Sequence, residues 1–433
     1  MARRPGDRSR FDAYVRRLAE GVGHADRRGP LEAYLTGLLL RGERKSIEPM
    51  AARVDPRHVS RAHQSLHHFV ANAPWEEREL LAVARDYALA QLERHAPVGA
   101  WVLDDTAIPK KGTHSVGVVR QYCGVLGKEA NCQVAVTLSL VNRTMSVPAA
   151  WRLCLPELWA QDRKRRAEAG VPPEVVFLTK GQIALEEIDW LLAEDLPPAP
   201  VVADPGYGNA TAFRDAVGER GLSYVFGIQG NTTVWPPGRE PLAPKPWSGQ
   251  GRPPIRVRRS GHHQPLSARE LATTLPRRAW KTVRWREGTR GTLSSRFAAV
   301  RVRPAHRDGL RTEPRPVEWL LIEWPAREKE PTKYWLSTVP EDIDLAELVS
   351  LAKIRWRVER DYQELKDELG LDHFEGRSWR GFHHHGVLCM AAYAFLAAER
   401  GRLSPPQAIA YLQPAPLPRG FAPRGSPRAA RTA

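Results

Sequence analysis

Between Pro200 and Ile228 the chain reads as strand, turn, helix, strand. "PVVADPGYGN" begins apolar, ends its run on Asp204 and turns through glycines. "ATAFRDAVGERG" has helical composition, and "SYVFGI" is strand-like again. Two strands joined by a helix lie side by side in parallel, because the helix must cross one face of the sheet to bring the chain back. Upstream lie three closely spaced strand-like runs, "WVLDD", "VGVVRQYCGVLG" and "CQVAVTLSLVN". The last alternates, with Val134, Val136, Leu138 and Leu140 on one side. Their short spacing predicts an antiparallel meander. A chain carrying both patterns builds a mixed sheet, which places it in the α/β class.

The other segments fit around that sheet. Residues 1–10 read as a disordered basic arm within a helical region, 1–97. There, Ser46 is the expected N-cap of one helix, with Pro49 in its first turn. Asp55 and Pro56 are expected to open the next helix, with Val59, Ala62, Leu66 and Phe69 or Val70 as its apolar stripe. Arg57, Arg61 and His63 fall mostly outside that stripe. This suits a helix-turn-helix-like DNA reader or a bundle with a solvated basic face, and the sequence leaves both open. Residues 98–230 hold the strands above and a helix over "GQIALEEIDWLLAE". Residues 231–333 are proline-dense at first and then β-like, in "PIRVRRS", "WKTVRWREG", "FAAVRVRP" and "VEWLLIEWP". Residues 334–413 return to a strand, "YWLSTVP", then a long helix from about 345 to 369 and a second helix holding the apolar run 387–398. Residues 414–433 read as a disordered basic tail.

Composition narrows the partners. The 433 residues carry a formal charge of +16, which points to nucleic acid first and an anionic membrane surface second. The start, "MARRPGDRSRF", has no apolar core behind it and is not a secretory signal. The longest apolar run, "VLCMAAYAFLAA", is too short to span a bilayer. Four scattered cysteines without a CxxC indicate neither a zinc site nor a disulfide framework. A cytoplasmic, nucleoid-associated protein with no membrane partner is the expectation.

Three carboxylates stand out by position. Asp104 and Asp105 close the first strand, and because neighbours on a strand face opposite sides, at most one of them meets a shared site. Asp204 closes a later strand, where ligands of α/β sheets gather. On the helix "LAELVSLAKIRWRVERDYQELKDELG", Glu359 falls about 20° from Ala352 and so shares the buried stripe, while Glu364 and Glu368 point away. Arg355 and Lys366 share the Glu359 face. The plainer readings are a helix-capping Asp204 and a surface Arg355–Glu359 ion pair. Taken together, carboxylates converging at a sheet edge would hold two Mg²⁺ ions about 4 Å apart, with Mn²⁺ as a possible substitute, for phosphoryl transfer on DNA. "FHHHG" cannot place all of His383, His384 and His385 on one ion, since adjacent helical residues diverge by about 100°. DNA contact or plain surface is the expectation for them. The dinucleotide fingerprint is absent from "DPGYGN".

"DDTAIPKKGTHSVGVVRQYCG", "VVADPGYGN" and "RWRVERDYQELKDELGLDHFEGRSW" resemble the DDE transposases of bacterial insertion sequences, and within them the insertion-sequence-701-like group of the insertion-sequence-4-like superfamily. The superfamily's third motif is Tyr, two residues, Arg, three residues, Glu, six residues, Lys. Arg355, Glu359 and Lys366 keep its spacing, whereas Ala352 holds the tyrosine place. The resemblance implies Asp105, the aspartate before the threonine, as first catalytic and metal-binding acid, with Asp204 and Glu359 as the others. It implies an RNase H-like mixed-sheet core, a helical N-terminal domain that helps bind transposon ends, and a β-rich insertion. It further implies a homodimer on terminal inverted repeats, Mg²⁺-dependent strand cleavage, and transfer to target DNA. Arg355 and Lys366 would grip phosphates, and Lys110, Lys111 and Arg120 are further candidates. Trp335 is a candidate for stacking a flipped base, with Trp285 and Trp319 behind it, although core burial suits each of them better. A domesticated nuclease and a binding protein that has lost catalysis are the rival functions.

Overall fold

The computed structural model describes residues 5–288 and 291–403. Five helices come first: α1 (Pro5–Glu20), α2 (Arg28–Leu39), α3 (Ile47–Val54), α4 (Val59–Ala71) and α5 (Glu77–His95). The helix α1 takes in most of the expected basic arm. Ser46 is the N-cap residue of α3. Asp55 does not open α4. It ends α3, its backbone N–H bonding the Ala51 carbonyl, and its carboxylate meets the His58 ring at 3.2 Å. A turn with His58 N–H on the Asp55 carbonyl then separates the two helices. Leu66, Phe69 and Val70 are buried as the stripe requires, and Arg57 and Arg61 are exposed.

The sheet starts with β1 (Ala100–Pro109), β2 (Val119–Cys123), β3 (Lys128–Val141) and β4 (Ser146–Leu153). The meander expectation is corrected here. β3, not β2, is β1's neighbour, paired antiparallel from Ala100↔Val141 to Pro109↔Cys132. The other edge of β3 is shared, by β2 near its start and β4 near its end. β4 was hidden in the sequence by Pro148, which has no N–H for a ladder. It is accommodated where the β3–β4 register shifts, at Leu138/Ser139.

Next come α6 (Glu157–Gln161), α7 (Arg163–Ala169), α8 (Lys180–Ala193), β5 (Val201–Ala203), α9 (Pro205–Gly208), α10 (Thr211–Glu219) and β6 (Tyr224–Ile228). Thr179 and Gln182 form a capping box that fixes the start of α8. β1, β5 and β6 are parallel neighbours, as the crossover requires. β7 (Thr233–Trp235), β8 (Leu266–Ser267), α11 (Ala268–Thr274), β9 (Lys281–Gly288), β10 (Gly291–Pro304), β11 (Glu318–Trp324) and β12 (Lys333–Ser337) follow. "PIRVRRS" forms no strand, only two isolated bridges, Arg258 with Leu242 and Ser260 with His263. β12 pairs with β6, and β11 and β10 continue outward, so one sheet of twelve strands runs through the protein. The chain is therefore a mixed α/β structure built on a large mixed sheet.

The expected long helix is two: α12 (Leu345–Lys353) and α13 (Trp356–Asp367). At the break, Ile354 N–H bonds Leu351 O and Arg357 N–H bonds Ile354 O, both three-residue bonds that tighten the turn. The tightening rotates α13 relative to α12. Its buried face is Val358, Asp361, Tyr362 and Leu365, and Glu359 leaves the apolar stripe, with its side chain 60% exposed. Lys353 closes α12 on a buried pair with Glu323 of β11, beside the rings of Trp285, Phe297 and Trp335.

The last helix, α14 (Trp379–Leu403), is buried along almost all of its length. It packs against α5, α2, α4 and β4, which explains an apolar run with no polar face. Among the described residues no helix is long and apolar enough to cross a membrane. The expected tail, 414–433, lies outside the described residues.

His383, His384 and His385 sit inside this packing, against the expectation of surface. The neighbours of His383 and His385 suit neutral rings, whereas both nitrogens of His384 face carbonyls, Val70 O at 3.0 Å and Trp75 O at 2.9 Å. His385 Nε2–H donates to the Gly370 carbonyl at 2.9 Å while Nδ1 accepts from the Tyr34 hydroxyl at 2.9 Å. His383 Nδ1–H donates to Trp379 O at 3.0 Å and Nε2 accepts from Leu153 N–H. Burial pushes His385 down to about 4, below the ordinary 6.5. A base held neutral in the fold loses stability as pH falls from the unfolded value toward the folded one. At pH 5 we expect His385 alone to cost about 2 kcal/mol relative to pH 7.5. A urea-unfolding series over that range checks it, and His385→Gln should flatten the slope.

Candidate active site

β1 and β5 set the site. Their parallel pairing matches Trp101 with Val201 and Val102 with Val202. Two residues further along each strand come Asp104 and Asp204. Side chains alternate, so these two share a face of the sheet, while Asp105 turns to the other. Asp204 is also the N-cap of α9, its Oδ1 accepting from Gly206 N–H at 2.9 Å, so the capping role and a place at the site coexist. The turn after it packs tightly on β6. A Cβ at Gly208 would stand 1.9 Å from the Gly227 carbonyl, so only glycine fits there.

Arg355, in the break between α12 and α13, reaches Asp104. One guanidinium nitrogen donates to both Asp104 oxygens at 3.0 Å and lies 3.7 Å from Glu359 Oε1. The surface ion pair expected of Arg355 and Glu359 thus exists, but its cation is shared with a half-buried aspartate. Burial would lower the Arg355 pKa, yet Asp104, Asp204 and Glu359 together hold it above its ordinary range. Asp104 and Glu359 thus share one cation. Burial also raises Asp104, Asp204 adds to the rise, and Arg355 opposes it.

Asp105 lies outside this group. Its Oδ2 accepts from Lys180 at the start of α8, and its Oδ1 from the Tyr207 hydroxyl in α9. Burial lifts the Tyr207 hydroxyl well above its ordinary range and Asp105 lifts it further. Burial would lower Lys180, but Asp105 outweighs this and the net shift is upward. Sequence reasoning missed Lys180 and Tyr207. Tyr207 stands inside the "DPGYGN" run, but nothing in the run assigns its hydroxyl a partner seventy or more residues away.

The basic candidates divide. Lys366 Nζ bonds the Ala107 carbonyl of β1 at 3.0 Å, and burial lowers its pKa. Lys110 turns inward to the Phe374 carbonyl at 2.7 Å, and burial pushes it down to about 8. Lys111 and Arg120 stay exposed, Arg120 lying 3.8 Å from Glu129. Trp335 is 7% exposed and packs in the core, which removes it as a platform for a flipped base. Trp285 and Trp319 are partly buried against the same core. Among the described residues, no group of three or more histidine, cysteine, aspartate or glutamate side chains is gathered closely enough to hold a metal ion.

A family profile described as DDE superfamily endonuclease matches residues 17–292. The chain belongs to that superfamily. Asp104, Asp105 and Asp204 lie within the matched span and Glu359 beyond it. A protein of Microchaete diplosiphon described as a probable transposase for insertion sequence element IS701 is 31% identical over 172 residues, which is 40% of this chain and 42% of that relative. The match thus spans less than half of either protein. Endonucleases of this superfamily generally use divalent metal ions.

The Arg355–Asp104 contact makes a stability prediction. Asp104 is 16% exposed at its side chain, and Arg355→Met would leave it buried without its cation. We expect a loss of roughly 3 kcal/mol at pH 7. Glu359→Gln, at an exposed side chain, should change stability by well under about 1 kcal/mol. Urea unfolding of the two variants beside wild type measures both.

Proposed function

We propose that this chain is a DNA transposase of an insertion sequence, which binds terminal inverted repeats as a homodimer, cleaves the strand at each end and transfers the freed 3′-hydroxyl to target DNA. The observation that carries the reading is the Arg355 guanidinium held between Asp104 of β1 and Glu359 of α13, with Asp204 following the neighbouring strand β5, in a DDE superfamily endonuclease. The family supplies the reaction class, and the likeness to a probable IS701 transposase supports the transposase rather than a free-standing nuclease.

The strand order β4–β3–β1–β5–β6, antiparallel then parallel, supports reading residues 98–230 and 334–413 as an RNase H-like core, of which 404–413 lie outside the described residues. In this reading residues 1–97 contribute to end binding, and residues 231–333 are the β-rich insertion, its strands continuing the core sheet.

The donor chemistry suits Mg²⁺ or Mn²⁺, since carboxylate oxygens are the ligands such hard cations take. An aspartate at the end of β1, Asp204 and Glu359 would hold the ions. As placed, Asp104 and Glu359 pair with the Arg355 guanidinium, and Asp204 caps α9. Bound metal would supply Lewis-acid activation of the attacking oxygen and charge for the leaving one. The protein's own part is positioning and charge. Arg355 and Lys366 stand beside the acids and would meet phosphate oxygens flanking the scissile bond, with Lys111 and Arg120 further along the strand. The net charge of +16 would hold the polyanion, with affinity falling steeply as salt rises.

The test is direct. The purified chain is incubated with Mg²⁺ and a DNA fragment carrying the ends of its own element, beside Asp204→Asn and Glu359→Gln. Nicks bearing a 3′-hydroxyl at the ends, made by wild type and lost by at least about a hundredfold in both variants, are the expected result. If all three proteins bind the ends and none cuts, the chain is a binding protein and the enzyme reading is lost.

A further inference from the structure

We propose that Asp104, rather than Asp105, supplies the β1 carboxylate of the endonuclease site, and that Asp105 is a positioning residue for the turn that carries Asp204. The inference rests on the endonuclease reading above and assigns one of its ligands.

Three observations carry it. First, the β1–β5 register, carried two residues past Val102↔Val202, puts Asp104 on the same face and at the same level as Asp204. Second, the helix that carries Glu359 meets β1 on the Asp104 side. Arg355 joins Asp104 and Glu359, and Lys366 bonds the Ala107 carbonyl further along the strand. A carboxylate on the opposite face cannot share a small ion with Glu359, because the sheet lies between them. Third, both oxygens of Asp105 are engaged elsewhere, one by Lys180 and the other by Tyr207.

Those two bonds give Asp105 its part. Tyr207 lies three residues after Asp204, within α9, and its backbone N–H bonds the Asp204 carbonyl at 3.2 Å. The close approach of Gly208 to Gly227 fixes the same turn from the other side. Asp105 therefore ties the end of β1 to the turn that sets the Asp204 side chain. Its loss would reach the site through Tyr207.

The experiment compares Asp104→Asn, Asp105→Asn, Tyr207→Phe and the Asp105→Asn/Tyr207→Phe pair in the full chain with end DNA. Mn²⁺ binding is followed by electron paramagnetic resonance and Mg²⁺-dependent cleavage by gel. An outer partner of a metal ligand is worth tenfold or more in affinity, so Asp104→Asn should weaken Mn²⁺ by at least about tenfold and abolish cleavage. Asp105→Asn and Tyr207→Phe should each weaken Mn²⁺ clearly less than Asp104→Asn does, slow cleavage to a similar partial extent, and be no worse together than apart. Asp104→Asn keeps an oxygen for Arg355. Asp104→Glu, which keeps the charge but displaces the carboxylate, guards against misfolding and should also stop cleavage, with a wild-type melting profile. Loss of Mn²⁺ in Asp105→Asn with retention in the Asp104 variants would overturn the assignment. A wild type that binds no Mn²⁺ even with DNA would remove the endonuclease reading itself, and the assignment with it.

Discussion

The parallel pairing of β1 with β5 is the constraint on which the site depends. Parallel strands cannot be joined by a tight turn, so the chain between them must travel through β2, β3, β4 and α8 before β5 can lie down. That detour brings the start of α8, and with it Lys180, against one face of the β1 end. It leaves the opposite face for the chain's last third. The pairing also fixes register, and a slip of one residue would move every side chain of β1 to the other face. With Trp101 opposite Val201, the two consecutive aspartates are divided between two different environments.

The second half of the site depends on where a helix stops. Had α12 and α13 been continuous, Glu359 would have faced the core with Ala352. The break at Ile354 and Arg355 turns Glu359 outward and frees Arg355 to reach inward to Asp104. Lys353, locked to Glu323 and walled by aromatic rings, holds the end of α12 against the β9–β11 region of the sheet. A buried pair of this kind adds little net stability but is costly to break, so it suits fixing a position. The strands between residues 231 and 333 thereby bear on the site from a distance, through the helix end they hold.

The outer layers are governed by α14. An apolar helix with no polar side must be covered all round, and the N-terminal helices do part of that covering. The basic side of α4 is what remains after its apolar stripe has been spent on the core. The three histidines are drawn into the same packing, where each polar ring finds carbonyl or hydroxyl partners. Sequence could place them on a helix but not on its inner side, because α14 has no outer side among those residues.

What the sequence determined by itself was the local and periodic part. The crossover from β5 to β6, the alternation of β3, the apolar stripe of α4 and the class of the sheet follow from spacing of two or 3.6 residues and from short connections. The order of acids along the chain, and the motif spacing of Arg355, Glu359 and Lys366, were also legible. Tertiary structure alone decided the rest. It put β3 rather than β2 beside β1, kept Pro148 in a strand by placing it at a bulge, broke the long helix, and sent Trp335 into the core. Above all it chose between Asp104 and Asp105 as the neighbour of Arg355. Two adjacent residues of the same type are chemically identical in a sequence. Only the partner strands and helices, each more than thirty residues away, tell their two faces apart.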